Sequence, residues 1–376
     1  MNDINLTDKE ALRYSRHLIL PEINIEGQKK LKKARVLIIG AGGLGSPLSL
    51  YLASSGIGKI GIVDFDNVDI SNLQRQIIHN NSDIGFSKAL SAKNKMENLN
   101  PFIEVEAFNL HLSASNILGI AKNYDIIADG TDNFPARYLI NDAAVLLGIP
   151  CIYGSIFQFE GQVSVFYAKE GPCYRCLSPS PPPPESATSC AESGVFAPLP
   201  GIIGTLQANE IIKLILGIGS PLLGRLLIFD ALNAAFKEFK IEKDKNCPIC
   251  GANPSIKQLI DYEDFCGYKQ NKTKIAEISP EELEAKIKNS AKLQIIDIRE
   301  PSERAFFIFP QSKNIPLSQI SRRMGELNSD FEIVLACQAG YKSVFAARIL
   351  EENGFQGKVF NLTGGINKYI ESIQKA

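Results

Sequence analysis

The chain has 376 residues, with 40 Lys+Arg against 41 Asp+Glu and a net charge of −1. At roughly 150 residues per domain that is two or three domains, so a single small module is excluded, as is a global basic field that would hold nucleic acid or an anionic membrane. An apolar share of 45% and a charged share of 22% describe a folding chain rather than a disordered one, and eight cysteines beside three histidines are its unusual feature.

The amino terminus, MNDINLTDKE, carries charge where a secretory signal would be apolar. The most apolar window, Ile211–Phe229, is broken by Lys213, Arg225 and glycines, short of the roughly 20 clean residues a membrane span needs. The expected setting is the reducing cytoplasm, where cysteines bind metal or do chemistry rather than form disulfides. Thr7 and Glu10 fit a capping box opening a helix through Leu20, which carries Arg13, Arg16 and His17. Strand-length apolar runs at Val36–Ile39, Ile60–Asp64, Ile103–Ala107 and Asp125–Ala128 then alternate with helical stretches near Leu44–Ala53, Lys88–Asn98 and Phe134–Leu147. Such alternation predicts a mostly parallel sheet covered by helices. From Cys151 shorter alternating runs such as Gln162–Tyr167 predict antiparallel strands extending that sheet; a polyproline loop and a helix near Pro198–Leu216 follow. Residues 251–274 have the composition of a linker. Ser279-Pro280-Glu281-Glu282 then starts a helix of a second α/β unit with strands at Leu293–Asp297, Ile333–Ala336 and Val359–Phe360.

Gly40-Ala41-Gly42-Gly43-Leu44-Gly45 follows a predicted strand and opens a predicted helix, the context in which free N–H groups and the helix dipole receive a phosphate. Asp64, ending the next strand, is placed to accept from a ribose hydroxyl. NAD and ATP are equally served to this point. Asn72, Arg75 and Gln76, then Lys88 at a helix start, shift the balance toward a triphosphate, because expelling pyrophosphate calls for fixed positive charge where negative charge develops. Asp132, just beyond a strand end, is a candidate for Mg²⁺.

Cys173-x-x-Cys176 and Cys247-x-x-Cys250 can together close a tetrahedral thiolate site for a structural zinc. Cys151, in an apolar run, reads as a small core residue, whereas nothing in the sequence assigns Cys266. Cys190 lies in a polar segment from which it could reach an activated carbonyl. Cys337 ends a strand and begins CQAGYKS before a helix, where loop N–H groups and Lys342 stabilise an anionic sulfur.

The ordered segments RYSRHLILPEI, GAGGLGS, DFDNVDISNLQRQ, GFSKA, DGTDN, GPCYRC, SGVFAPLPGIIG and CPIC resemble the MoeB/ThiF (HesA) family of adenylyltransferases, prokaryotic relatives of ubiquitin-activating enzymes. DIRE at Asp297–Glu300, Glu303, CQAGYKS and LTGG are similar to a rhodanese domain, with two departures: Lys342 stands where arginine is common, keeping the charge without planar bidentate geometry, and IFPQSKNIPL replaces the customary Gly-His-Ile. The resemblance implies a Rossmann-like α/β adenylation domain with a mixed sheet over residues 1–251, a linker over 252–275 and a small α/β sulfurtransferase domain over 276–376. It places Gly40, Gly42, Gly43, Gly45, Asp64, Asn72, Arg75 and Lys88 on ATP, Asp132 at Mg²⁺ and the four paired cysteines on Zn²⁺. Arg16 would reach the phosphates of a partner subunit, implying a homodimer.

The implied partner is a ubiquitin-like sulfur carrier ending in Gly-Gly, similar to MoaD or ThiS. Its terminal glycine would be adenylated and then receive sulfur from a persulfide on Cys337, loaded by a donor such as a cysteine desulfurase, with Cys190 resolving the product to a thiocarboxylate. Molybdopterin synthesis, thiamine synthesis and tRNA thiolation all share this chemistry. The rival readings are an NAD-dependent oxidoreductase fused to a redox module, and a non-catalytic scaffold for a ubiquitin-like protein. Thermal stabilisation by MgATP and not by NAD is the expected result; the opposite preference would favour the oxidoreductase.

Overall fold

The structure is a computed structural model, and it describes residues 5–182, 194–267, 275–289, 292–305, 307–338, 340 and 342–374. Two compact units result, the first over the described residues up to 267 and the second from 275 onward. The first is built on β1 (Arg35–Ile39), β2 (Lys59–Val63), β3 (Glu104–Phe108), β4 (Ile126–Asp129), β5 (Cys151–Phe157), β6 (Glu160–Phe166), β7 (Arg225–Asp230) and β8 (Ala235–Lys240). They form one sheet in the order β3-β2-β1-β4-β5-β6-β7-β8. The five strands from β3 to β5 are parallel, and β5, β6, β7 and β8 pair antiparallel, the mixed sheet expected from the change of pattern at Cys151.

Strands buried on both faces read as continuous apolar runs, as RVLII and KIGIV do. One face is covered by helices Asn24–Lys33, Gly45–Ser55, Lys88–Leu99 and Pro198–Leu216, the other by Ile117–Ala121 and Phe134–Leu147. Helix Phe134–Leu147 begins where Asn133 accepts from Ala136 N–H and Pro135 presets the first turn. The helix expected through Leu20 instead breaks at Tyr14 into Asp8–Arg13 and Ser15–Leu18. Tyr14 is buried and its hydroxyl accepts from Asn100 at 2.8 Å, a long-range anchor that local periodicity cannot contain.

Helix Pro198–Leu216 is long and apolar enough to cross a membrane by length and composition, yet half of that window is buried. Its Gln207 amide donates to the carbonyls of Asp129 and Ile152 at 2.7 and 3.2 Å, and a Cβ on Gly204 would lie 2.4 Å from Leu44 O. These contacts make it a core helix.

The stretch expected to start a linker at residue 252 instead continues the first unit. Tyr262 and Cys266 are buried, and Phe265 packs edge-on against Tyr138 at 5.1 Å. Their partner is a buried ion pair: Arg175 donates twice to Asp142 at 2.8 Å, Tyr262 Oη donates to the same carboxylate at 2.9 Å, and the guanidinium lies against the rings of both Tyr138 and Phe265. Burial raises the Cys266 thiol to about 12, Arg175 opposing, and raises that of Cys151 as well. Both thiols are therefore packing groups.

The second unit has β9 (Ala276–Ile278), β10 (Leu293–Asp297), β11 (Ser312–Asn314), β12 (Glu332–Ala336) and β13 (Val359–Leu362). The order is β11-β10-β12-β13-β9, all parallel. The capping box of Ser279 and Glu282 opens helix Pro280–Lys288 as expected.

Removing one partner of a buried ion pair strands the other charge. Arg175 and Asp142 are 1% and 0% exposed, so Asp142→Ala should destabilise the first unit by about 3–5 kcal/mol in urea unfolding. A loss below about 1 kcal/mol would contradict the burial described.

Candidate functional site

In an open parallel sheet, ligands bind at the carboxyl ends of strands where the strand order reverses. That point lies between β1 and β4, because β1 leads to β2 on one side and pairs with β4 on the other. The Gly40–Gly45 turn follows β1, and Gly130, Thr131 and Asp132 follow β4. The two segments meet backbone to backbone. Gly40 has φ +96°, and a Cβ there would lie 2.8 Å from Gly130 O; one on Gly45 would lie 1.9 Å from Gly40 O. Glycine is required at both for this closure. Gly42 and Gly43 are less confined, a Cβ on them meeting Gln76 Nε2 at 3.7 Å and Pro200 at 3.2 Å, with Arg75 3.7 Å from the latter.

Side chains brace this turn from below. Asp64 accepts from Ala41 N–H at 2.8 Å and from Asp66 N–H at 2.9 Å, so the carboxylate expected on a ribose also holds the glycine turn. Burial pushes its pKa up, with Lys88 and the Ala41 N–H opposing. His79, unassigned by sequence, is buried between Ala41 O at 3.0 Å and Ser91 Oγ at 2.9 Å. A carbonyl only accepts, so Nε2 carries the proton, and burial, which pushes the His79 pKa down, keeps the ring neutral. The sequence signal was a histidine ending the run SNLQRQIIH, recognisable only once Ala41 is seen above it.

The basic candidates are placed unevenly. Arg75 is half-buried beside Gly43 and donates to Ser71 O at 3.0 Å. Asn72 accepts from Asp69 N–H at 3.1 Å. Buried Gln76 leaves Oε1 without a hydrogen bond. Lys88 lies in an ion pair with Asp66 at 2.9 Å, a partner the sequence reading did not name. Arg16 lies exposed on helix Ser15–Leu18 and, among the described residues, makes no hydrogen bond or ion pair. Asp132 is exposed at the turn's edge. Buried Asp129 pairs with Arg137 at 3.6 Å and accepts twice from Thr131, at 2.9 and 2.6 Å. Burial opposes the charge on Arg137, but Tyr153, Asp129 and Tyr174 outweigh it and raise its pKa. Missed by sequence reading, this pair fixes the loop that presents Asp132.

The four paired cysteines come together with every sulfur within 4.8 Å of the others. Cys173 lies 3.6 Å from Cys247, and Cys176 3.4 Å from Cys250. Four sulfurs about 2.3 Å from a tetrahedral ion stand about 3.8 Å apart, so the set fits a metal with no open position. Asp244 N–H also donates to Cys176 Sγ at 3.4 Å, as a coordinating thiolate would require. Cys190 lies outside the described residues.

In the second unit Cys337 immediately follows β12, the strand flanked by β10 and β13. The residue is 1% exposed, and its sulfur receives Gly340 N–H at 3.1 Å and lies 3.3 Å from Ser343 Oγ. Gly340 has φ +88°, and a Cβ there would lie 3.0 Å from Gly364 N and 3.1 Å from Gly365 N of LTGG. Arg299 is fixed bidentate on Asp297 and donates to Gln338 Oε1 at 3.0 Å, and Lys342 pairs with Glu303 at 3.6 Å. The DIRE segment thus steadies the cysteine loop. Ser343 was missed by sequence reading, although it stands in the CQAGYKS segment.

Two outcomes follow from this geometry. Gly40→Ala, strained in φ and crowded by Gly130, should destabilise the first unit by more than about 1 kcal/mol, whereas Gly119→Ala, with open space at its Cβ inside helix Ile117–Ala121, should be neutral or stabilising in the same thermal melt. One tightly held metal ion per chain is expected by elemental analysis; Cys247→Ser should lose it and lower the melting temperature, and a metal-free protein of full stability would contradict the assignment.

The sequence profile of the ThiF family matches residues 14–249, and that of the rhodanese-like domain matches residues 279–372. The Mycobacterium tuberculosis protein named as a probable adenylyltransferase/sulfurtransferase, MoeZ, is 46% identical, covering 98% of this chain and 95% of its own. A sulfur carrier protein adenylyltransferase of Thermus thermophilus is 49% identical over 70% of this chain and 99% of its own. Among solved structures, Escherichia coli MccB with AMPCPP and MccA aligns with a TM-score of 0.58 at 25% identity, covering 66% of this chain and 75% of that one. The chain belongs to the ThiF family and carries a carboxy-terminal rhodanese-like domain.

Proposed function

We propose that the chain is an adenylyltransferase and sulfurtransferase that activates the carboxy-terminal glycine of a ubiquitin-like sulfur carrier and converts it to a thiocarboxylate. The observation that carries this reading is a strand-to-helix glycine turn at the switch point of the sheet, with Arg75 beside it, in one unit and a loop-held cysteine sulfur in the other. The names of its relatives support it.

In the first step the carrier's terminal carboxylate attacks the α-phosphorus of ATP, and pyrophosphate leaves. Backbone N–H groups of the turn orient the phosphates. Arg75, Lys88 and Arg16 from a second subunit stabilise the charge that develops as the phosphorus–oxygen bond breaks. Asn72 and Asp64 bind the nucleoside side. Lys88 exchanges Asp66 for phosphate in this step, and the ion pair is exposed enough on its Asp66 side for that exchange to cost little. Asp132 would hold Mg²⁺, which neutralises phosphate charge when bound; an exposed carboxylate at the mouth of a phosphate site suits an ion that shares its ligands with the substrate.

The second step transfers sulfur. A persulfide on Cys337, loaded by a donor of the cysteine desulfurase class, attacks the acyl-adenylate carbonyl, and AMP leaves with the electron pair of the broken acyl–oxygen bond. The product is an acyl disulfide on Cys337; the Cys190 thiol attacks its Cys337 sulfur, the S–S bond breaks, the thiocarboxylate leaves with the electron pair, and the Cys190–Cys337 disulfide that remains is reduced by an external dithiol before the next turnover. The four-cysteine cluster holds zinc in a structural role, and the functional form is a cytoplasmic homodimer.

The test of the first step is ATP–pyrophosphate exchange with a Gly-Gly-ended carrier from the same genome. Exchange is expected, with Arg75→Ala lowering it at least about 100-fold; no exchange with any such carrier would defeat the proposal. For the second, Cys337→Ala should exchange normally yet take up no sulfur, and equal uptake would remove the persulfide role.

A further inference from the structure

Three consecutive peptide groups of the glycine turn are each held by a side chain from a different element. Asp64, just after β2, accepts from Ala41 N–H at 2.8 Å. His79, in the loop before helix Lys88–Leu99, donates to Ala41 O at 3.0 Å. Ser46 of helix Gly45–Ser55 gives Gly42 O its hydroxyl proton at 2.7 Å and its N–H at 2.9 Å. The carbonyl and the N–H of one trans peptide point in opposite directions. Ala41 O is drawn onto the buried His79 ring, so the Gly42 N–H of the same peptide is turned away from it, and among the described residues that N–H has no acceptor. Gly42 is only half-buried, which leaves the group open to a ligand.

The turn's own chain does not enforce this direction. Gly42 lacks a Cβ, so the Ala41–Gly42 peptide is free to turn over by opposite rotations on its two sides, and the turned form would set a carbonyl oxygen where the N–H had been. An N–H binds a phosphate, whereas a carbonyl oxygen repels it. Asp64 and Ser46 act on the neighbouring peptides, and among the described residues it is His79 that grips this one. The grip depends on the tautomer of the ring. Nε2 carries the proton that reaches the carbonyl, so Nδ1 of the neutral ring is an acceptor, and the Ser91 hydroxyl stands 2.9 Å from it. Asp83 competes for that hydroxyl at 3.1 Å, but its carboxylate is half-buried and already accepts Asn80 N–H at 2.7 Å. We propose that His79 is a positioning residue for the nucleotide: it fixes the Ala41–Gly42 peptide with its N–H toward the phosphates, and Ser91 keeps its ring in the tautomer that does so. The inference rests on the reading of the turn as a nucleotide site, and it assigns part of the phosphate affinity to a side chain that lies behind the turn.

The experiment is calorimetric titration of the full-length protein with MgATP and, separately, with adenosine. His79→Leu should weaken MgATP binding by roughly tenfold or more, the worth of one hydrogen bond to a charged group, and leave adenosine binding within about twofold of wild type. His79→Gln, whose amide N–H reaches the same carbonyl, should restore MgATP affinity to within about threefold of wild type. Should His79→Leu fail to fold, Ser91→Ala, which removes the donor to Nδ1, should weaken MgATP in the same selective way by about threefold or more. Unchanged MgATP affinity in folded His79→Leu or Ser91→Ala, an equal loss of adenosine affinity, or a glutamine variant as weak as the leucine one would overturn the inference and leave the nucleotide reading in place. A wild-type protein that binds no MgATP would defeat that reading and the inference with it.

Discussion

The close approach of the Gly40–Gly45 turn to the backbone of Gly130 is the contact on which the first unit's chemistry depends. With less than 3 Å between a would-be Cβ at Gly40 and Gly130 O, the carboxyl ends of β1 and β4 are held at van der Waals limit. No side chain fits between the two turns at the sheet's switch point. Everything else near it serves to keep that approach in place: Asp64 beneath the turn, His79 on the Ala41 carbonyl, Gln207 tying Asp129 O to Ile152 O, and Arg137 clamping Asp129. Polar groups buried in this way cost free energy unless fully paired, and here they are spent on the rigidity that preorganised electrostatics require.

A second buried network joins two regions far apart in sequence. Arg175 lies inside the first C-x-x-C pair, and its charge is met by Asp142 on the neighbouring helix and by Tyr262 and Phe265 beyond the second pair. The cysteine cluster joins residues 173–176 to 247–250, and the ion pair joins Arg175 to Asp142 and to Tyr262 and Phe265, one through sulfur and the other through a guanidinium set against two rings.

Much of this was legible in the sequence, for physical reasons that differ by feature. The parallel strands announced themselves as apolar runs, helices Phe134–Leu147 and Pro198–Leu216 as helical stretches between them, and helix Pro280–Lys288 through its serine and proline start; the glycine turn, both C-x-x-C pairs and the Cys337 loop are local motifs. What stayed hidden depends on partners distant in the chain. Tyr14 breaks its helix because Asn100 receives it, and residues 262–266 look like linker until Asp142 and Tyr138 are seen behind them. His79, Arg137 and Ser343 are ordinary residues by type, given meaning by Ala41, Asp129 and Cys337. The pairing of Lys88 with Asp66 likewise could not be read from a motif that shows only the cation.

The central claim is that one polypeptide couples nucleotide-dependent activation to sulfur transfer, and the intact mass of a Gly-Gly-ended carrier incubated with the protein, ATP, Mg²⁺ and a persulfide donor tests it most directly. The account predicts replacement of one carrier oxygen by sulfur, dependent on both ATP and Cys337. A carrier whose mass does not change, or one that gains sulfur without ATP, would contradict it.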